Sequence, residues 1–514
     1  MKRNIIKKTF LVCAALVVSA IPGAKAQGLW DAYRFSAQNP DGTARSVAMG
    51  NAFTALGGDM GSIWLNPAGS AVNNFNEASI TPALTLANSS TVYAGTSTKD
   101  DRTNFNIANI GYLGSVNIDP VGVRSISFGL VFNRMKDFSC AQSARGHAVG
   151  SSWLQAVAMQ CQGIDKSVLE ADDAFYTNAP WNGVLAYKTF LIDPLPDSDC
   201  DYFAATENLD HLTREIYLAS PVDQFYHSYQ RGYHYEADLN CSMNIDNIVY
   251  LGANIGLQTM YYKQSNDYTE MPNDKLACES KLTAFTQSYS QRTVGSGVNF
   301  KVGVICTPIP ELRFGASIQT PTWMWLTEDS EMGMSSSFSD GDAYHKWSPL
   351  QSFDYRLRSP FKWNVGAALT IAKMAVISVD YQMEDYSTMK LSDRNNNTSL
   401  FDYENALIKD YCTSRSILRA GAEVTFPANI SVRAGYQNYS TGVKKEYAGV
   451  EDNFSIGSLG IGWASPSGFF IDATYQRYLT KQEEVFSLYD MPEAPGGHTE
   501  WGRSKIYLTL GFRF

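Results

Sequence analysis

Long apolar runs are missing from this chain. Beyond residue 26 no segment reaches the roughly 18 uncharged apolar residues that a membrane-spanning helix needs, which excludes a helical membrane protein. Charge is scarce as well: Asp, Glu, Lys and Arg make up 18% of the 514 residues, below the ~25% of an ordinary soluble domain. The charge present sums to −10, the wrong sign for a surface that holds nucleic acid or another polyanion. Histidine occurs six times, at His147, His211, His227, His234, His345 and His498. None stands on a clear strand beside a Ser or a carboxylate in a nucleophile arrangement, so no enzyme is expected. No Gly-rich phosphate loop, CxxC pair or metal-ligand spacing occurs, and no cofactor or metal is expected.

What is present begins with a leader. Lys2, Arg3, Lys7 and Lys8 form a positive n-region, 9–20 is a short apolar run, and Ala24-Lys25-Ala26 is a small-x-small cleavage site. The pattern predicts a secretory signal peptide over 1–26 and a mature chain starting at Gln27. Cys13 lacks the Leu-small-small context of a lipid-anchored cysteine. Seven of the eight cysteines follow the leader. Cys140, Cys161 and Cys200 share one loop, where a disulfide and scattered free thiols are both open in an oxidising compartment.

Aromatic residues reach 13%, with 29 Tyr, and Gly is frequent at 39. That mixture suits strands with one lipid face and one wet face. Period-2 alternation is clearest at the C-terminus, where Ile506, Leu508, Leu510, Phe512 and Phe514 share a face across intervening polar or small residues. Fourteen such segments occur: 77–88, 104–116, 123–138, 231–243, 248–263, 282–305, 312–324, 352–371, 374–389, 414–426, 430–439, 453–463, 468–479 and 501–514. The connections at 117–122, 244–247, 306–311, 372–373, 427–429 and 464–467 are short, and those after odd strands are long. The longest loop, 139–230, has helical composition at 153–159 and 168–171 and reads as an external cap. Short turns alternating with long loops predict a transmembrane barrel, with turns inside and loops outside. Closure leaves no backbone group unpaired in hydrocarbon. The expected fold class is all-β, a transmembrane antiparallel β-barrel of 14 strands over 77–514.

Residues 27–76 do not read as strands. The run 42–59 is rich in small residues, including Gly50, Ala52 and Ala55, and is followed by Asp59, Ser62 and the tripeptide Asn66-Pro67-Ala68. Small side chains let a segment pack against a surrounding wall, and Pro67 forces Asn66 toward an extended conformation. The segment is a compact plug rather than a large domain. These residues resemble the N-terminal hatch of the FadL/TodX family of outer-membrane transporters for long-chain fatty acids and aromatic hydrocarbons. The resemblance is sharp over some thirty residues and general over signal peptide, plug, barrel and terminal Phe. It implies a bacterial outer-membrane channel in which a hatch (Gly50, Ala52, Asp59, Ser62, Asn66, Pro67, Ala68) closes the lumen. Hydrophobic small molecules, long-chain fatty acids first, would diffuse passively once it shifts, leaving through an opening in the barrel wall. It carries over no ligand-contacting residue in 139–230.

Alternation places Lys301, Arg313, Lys362, Arg419 and Arg433 on the lumen face, together with Asp380, Glu423 and Asp472. The five cations are candidates for a ligand carboxylate; structural pairing with those acids or with the hatch is the alternative. Phe512 and Phe514 form the C-terminal signal expected by the barrel-assembly machinery. Outer-membrane lipid and a hydrophobic small molecule are the other expected partners, and a monomer is expected. The competing functions are a general diffusion porin, against which the plug argues, and an adaptor in protein export.

Overall fold

A computed structural model describes residues 28–119, 121–372, 374–444, 450–451, 453–480 and 482–514. The signal peptide expected over 1–26 lies outside the described residues. No described helix is long and apolar enough to cross a membrane. The chain crosses with strands instead.

Fourteen antiparallel strands close on themselves. They are β1 (Glu77–Tyr93), β2 (Thr96–Asn117), β3 (Val123–Asp137, extended by Cys140–Val149), β4 (Val222–Ile245), β5 (Val249–Pro272), β6 (Leu282–Ile309), β7 (Leu312–Gln319, continued by Trp323–Phe338), β8 (Gln351–Arg358 with Lys362–Ile371), β9 (Ala375–Asp385), β10 (Ser414–Phe426), β11 (Ile430–Tyr439), β12 (Phe454–Ala464), β13 (Phe469–Tyr478, with Gln482–Ser487 beyond it) and β14 (Gly496–Arg513). β1 pairs with β14 from Glu77↔Arg513 to Tyr93↔Gly497, which closes the barrel. The backbones of Asn76 and Phe514 exchange two 3.0 Å hydrogen bonds at the inner end of that seam.

The alternation read from the sequence sorts the two faces. On β14, Ile506, Leu508, Leu510 and Phe512 are exposed, while Lys505, Tyr507 and Thr509 are buried in the lumen. On β6 and β7, Phe300, Val302, Phe314 and Ile318 face out, and Asn299, Lys301, Ser317 and Gln319 face in. The apolar belt ends in aromatics: Phe426, Phe469 and Phe514 at the turn side, and Trp323, Trp325 and Tyr436 at the loop side.

Several strands run well past the predicted segments. β1 and β2 continue above the belt and meet in a two-residue turn at Ala94 and Gly95, both at positive φ. The expected long loop there is therefore a hairpin, because polar alternation such as Thr96-Ser97-Thr98-Lys99 is compatible with a strand that lies outside hydrocarbon. The region 139–230 likewise begins and ends as strand, through Cys140–Val149 and the outer part of β4. Between them lie helices α3 (Trp153–Cys161), α4 (Lys166–Glu170) and α5 (Trp181–Lys188). Helices α1 (Leu29–Ser36) and α2 (Ala44–Ala48) belong to the hatch. The cap helices bury Leu154, Val157, Leu169, Val184 and Leu185 against Tyr93, Tyr268, Phe285 and Met334 of the barrel mouth. All seven described cysteines are free thiols, so Cys140, Cys161 and Cys200 form no disulfide here.

Candidate functional site

Residues 28–76 fill the lumen. Helix α1 (Leu29–Ser36) lies highest and α2 (Ala44–Ala48) lower, and two 3-10 turns, Met60–Ser62 and Pro67–Val72, follow. The last three starts are capped from the sequence: the Thr43 hydroxyl accepts from Ser46 N at 3.1 Å, Asp59 from Gly61 N at 2.8 Å, and Asn66 from Ala68 N at 3.1 Å. Pro67 sits at the first position of its turn, where the missing N–H is no loss. Gly50, Ala52, Asp59, Ser62, Asn66, Pro67 and Ala68 are all buried.

The wall meets this segment with glycine. Gly252 (β5), Gly303 (β6), Gly315 (β7), Gly366 (β8), Gly421 (β10), Gly435 (β11) and Gly460 (β12) point at hatch atoms. A Cβ at Gly252 would lie 2.5 Å from the Pro67 carbonyl oxygen, and one at Gly315 would lie 2.6 Å from Ala55 Cα. β9, the strand within this arc without a glycine, presents Asp380, which accepts from Thr54 N at 2.7 Å. Bare backbone on one side and small residues on the other bring the hatch close enough to the wall for side chains to reach main-chain carbonyls. Asn66 Nδ2 donates to Thr54 O at 2.6 Å and to Val304 O at 3.2 Å. Ser317 Oγ reaches Leu65 O at 2.6 Å, Asn240 Nδ2 reaches Pro67 O at 3.0 Å, and Asn254 Nδ2 reaches Ile63 O at 2.9 Å.

The five lumen cations are engaged with protein. Lys301 lies against Glu236 and is 2.9 Å from Asp238, all three buried. Arg313 donates to Leu56 O at 2.7 Å. Lys362 reaches Gln38 Oε1 at 2.8 Å and Glu384 at 3.3 Å. Arg419 donates to Gln382 at 2.6 Å and stands over Trp64. Arg433 pairs with Glu423 and Asp472, and Arg45 of the hatch joins Glu423 at 2.9 Å. Glu236, Asp238 and Glu384 had not been singled out, although Glu236 and Asp238 stand two apart on one strand face.

Above the hatch the lumen changes character. Leu29, Ala32 and Phe35 of α1 pack on Phe138, Met260, Tyr262, Leu326 and Tyr355, an apolar layer across the barrel. Over it lies a cavity of about 350 Å³ between α1, the cap and the outer strands. Its wall on β4, β5 and β6 is an array set by register: Gln230 opposite Gln264 and Gln264 opposite Gln291 in the lowest row. Ser228, Asn266 and Tyr289 form the next row, and Tyr226, Tyr268 and Gln287 the uppermost. The i, i+2 repeats 226-228-230, 264-266-268 and 287-289-291 carry the signal in sequence, but the first two lie beyond the predicted strand ends. At the cavity edge Asp31 pairs with Arg34, and Glu484 accepts from Trp501 Nε1 at 3.3 Å. Burial raises the pKa of Asp31, and the Arg34 guanidinium pulls it the other way. Glu270 anchors the cap, accepting from Trp153 N at 2.7 Å and from Ser152 Oγ at 2.5 Å.

The wall is not continuous. β2 and β3 pair only from Asn117↔Ser125 to Asn109↔Asn133. Outward of that point β2 keeps a backbone ladder with β1 alone and meets the β3 extension through side chains, Asn104 Nδ2 to Ser139 Oγ at 3.1 Å and Ser143 Oγ to Asp100 at 2.9 Å, while β3 shifts register against β4 between Arg134 and Lys136. The extension of β3 then folds over the inner faces of β1 and β14, where Ser89 Oγ reaches Ala141 O at 2.8 Å and Gln142 Nε2 reaches Thr499 Oγ1 at 2.7 Å. A lateral break in the ladder results, bordered by Asn104, Ile107 and Arg134. The Tyr235 hydroxyl bridges it by donating to Ile107 O at 3.1 Å.

No family model matches this chain, and no curated protein does. Among solved structures, a FadL homologue from Pseudomonas aeruginosa superposes with a TM-score of 0.55 at 12% identity, covering 92% of this chain and 99% of the other. The deltaS2S3 mutant of TodX, a monoaromatic hydrocarbon channel, gives 0.50 at 11% identity over 92% and 99%. The deltaS2 mutant of TodX gives 0.50 at 11% identity over 92% and 98%. At these identities the likeness is one of fold: this 14-stranded, hatch-filled barrel shares its fold with the FadL homologue and the TodX channel.

Proposed function

We propose that this chain is a bacterial outer-membrane channel for hydrophobic small molecules, operated by movement of the hatch. The observation that carries the reading is the break between β2 and β3 beside a lumen that the hatch fills. A closed barrel needs no such break, and backbone groups left unpaired at membrane depth are costly unless the opening serves a purpose. A filled lumen with a side opening suits a molecule that should leave into lipid rather than into periplasmic water. The apolar layer around α1 offers such a molecule an environment once the helix yields.

The fold shared with a FadL homologue and with monoaromatic hydrocarbon channels supports the same class of ligand. Long-chain fatty acids are the first ligand to test and toluene the second. A carboxylate entering the lumen competes with Glu236, Asp238, Glu384, Glu423 and Asp472 for cations they already hold. The mechanism needs three changes: ligand collects under the cap, α1 leaves the apolar layer, and the border at Tyr235 and Ile107 opens.

The test is uptake of radiolabelled oleate and toluene by cells expressing the intact chain at matched surface levels, beside Asn66→Ala/Pro67→Ala. Protein-dependent uptake that changes in the variant is expected. Absence of uptake of either compound with a folded, surface-located barrel overturns the reading. Lost secretion of other proteins on deletion would move it to an export adaptor.

A further inference from the structure

We infer that the cavity above the hatch binds the uncharged, hydroxyl-rich head of an amphiphile, a glycoside, whose tail points to the apolar layer below. The array on β4, β5 and β6 is made of carboxamides and hydroxyls, with no ionisable carboxylate or ammonium among its nine positions. Each carboxamide offers two donors and an acceptor with two lone pairs. A sugar hydroxyl is both donor and acceptor, so it is matched by such groups in any orientation, whereas a carboxylate only accepts. The bonds inside the array leave much of this capacity open. Gln264 donates to Asn266 at 3.1 Å and accepts from Tyr262 at 2.6 Å, Gln287 donates to the adjacent Ser288 carbonyl at 3.3 Å, and outside the array Gln291 donates to Asp31 at 3.3 Å and Tyr268 to Glu270.

Two residues that border the cavity carry buried polar atoms without a partner among the described residues, the Trp30 indole N–H of the hatch and the Asn182 carbonyl oxygen of the cap. Asn182 is 9% exposed. Trp153 borders the same cavity, its ring stacked at 5.9 Å on Phe285. Among the described residues, the charged ones at its edge are Asp31, Glu484 and Arg34, and Arg34 is already paired with Asp31. Two carboxyls against one guanidinium leave no spare cation there for an anionic head. A volume of about 350 Å³ fits the lower end of small-ligand sites and a sugar-sized group. Met260 and Tyr262 follow Gln264 on the same strand face, so the polar wall passes directly into the apolar layer.

The direction of the tail rests on the channel reading; the head site does not. The test is equilibrium dialysis of p-nitrophenyl β-D-glucopyranoside and of p-nitrobenzoate against the purified full chain in lipid nanodiscs. The glucoside is expected to bind at least about tenfold more tightly, because a site built to hydrogen-bond hydroxyls rejects an analogue that lacks them. Gln230→Leu/Gln287→Leu is expected to remove that preference. The isosteric Gln287→Glu, which keeps the shape but adds charge and removes two donors, is expected to weaken glucoside binding about tenfold. Folding of each variant is read from heat-modified mobility on gels, and Gln287→Glu carries the test if the double variant misfolds. Equal or tighter benzoate binding, no glucoside binding, or an affinity unmoved in the folded variants overturns the inference. Glucoside binding without cellular uptake of oleate or toluene would leave the head site standing and remove the channel reading.

Discussion

Gly315→Ala isolates the seating of the hatch from the folding of the barrel. Alanine is acceptable in a strand, and the added methyl points into the lumen. There it would lie 2.6 Å from Ala55 Cα and closer still to the Thr54 carbonyl, both main-chain groups. That is roughly 1 Å short of ordinary contact, so the 54–55 backbone must move by a similar distance. Two bonds depend on its position: Thr54 N to Asp380 at 2.7 Å and Asn66 Nδ2 to Thr54 O at 2.6 Å. Moving either by ~1 Å takes it beyond bonding range, at about 1 kcal/mol each, and residual crowding adds about 1–3 kcal/mol. The seated state should lose about 3–5 kcal/mol, a shift of ~10²–10⁴ in the seated-to-unseated ratio. Conductance in planar bilayers reads this directly, since an unseated hatch admits ions. The expected result is frequent opening in Gly315→Ala with normal heat-modified mobility. Gly457→Ala serves as control, because its methyl meets only the Leu479 side chain, at 3.2 Å. Conductance of Gly315→Ala indistinguishable from the unaltered chain would refute the view that the glycine arc holds the hatch by close main-chain approach.

Asn66→Ala removes two donated bonds and a turn cap, and should raise opening in the same assay by about 2–4 kcal/mol of lost seating. Lys301→Met leaves Glu236 and Asp238 buried without their cation and should destabilise the barrel by about 3–5 kcal/mol in urea titrations of the refolded protein. Adding Glu236→Gln and Asp238→Asn should restore most of that loss, and failure of the triple variant to recover would count against the pairing. Tyr235→Phe removes the donor that bridges the wall break and should speed amide exchange on the β2 edge around Ile107 by about tenfold, read by mass spectrometry. If the Tyr235 bond contributes nothing to closure, exchange there will not change.

Local chemistry made the strands legible. Side chains alternate with period 2 whatever the partner, so Ile506, Leu508 and Leu510 declare a lipid face and Lys301 and Arg433 a lumen face without knowledge of the neighbours. The short inner turns and the small-residue hatch with its Asn66-Pro67 corner were equally visible, because turn and cap preferences act over three or four residues. Strand ends were less legible. Polar alternation above the belt, as at 96–103, carries no burial signal, and the Ala94–Gly95 hairpin appears only when β1 and β2 pair.

Tertiary structure decided what the lumen does. Gly315, Gly366 and Gly435 are scattered in sequence, and only register and closure bring them round one segment as bare backbone. Lys301 could be placed on the lumen face from its neighbours, but its partners stand on β4, more than sixty positions away. The array at Gln230, Gln264 and Gln291 and the break outward of Asn109 and Asn133 are likewise products of pairing. A residue's own strand fixes which way it points; what it meets there depends on loop closure over tens to hundreds of residues, which no local pattern encodes.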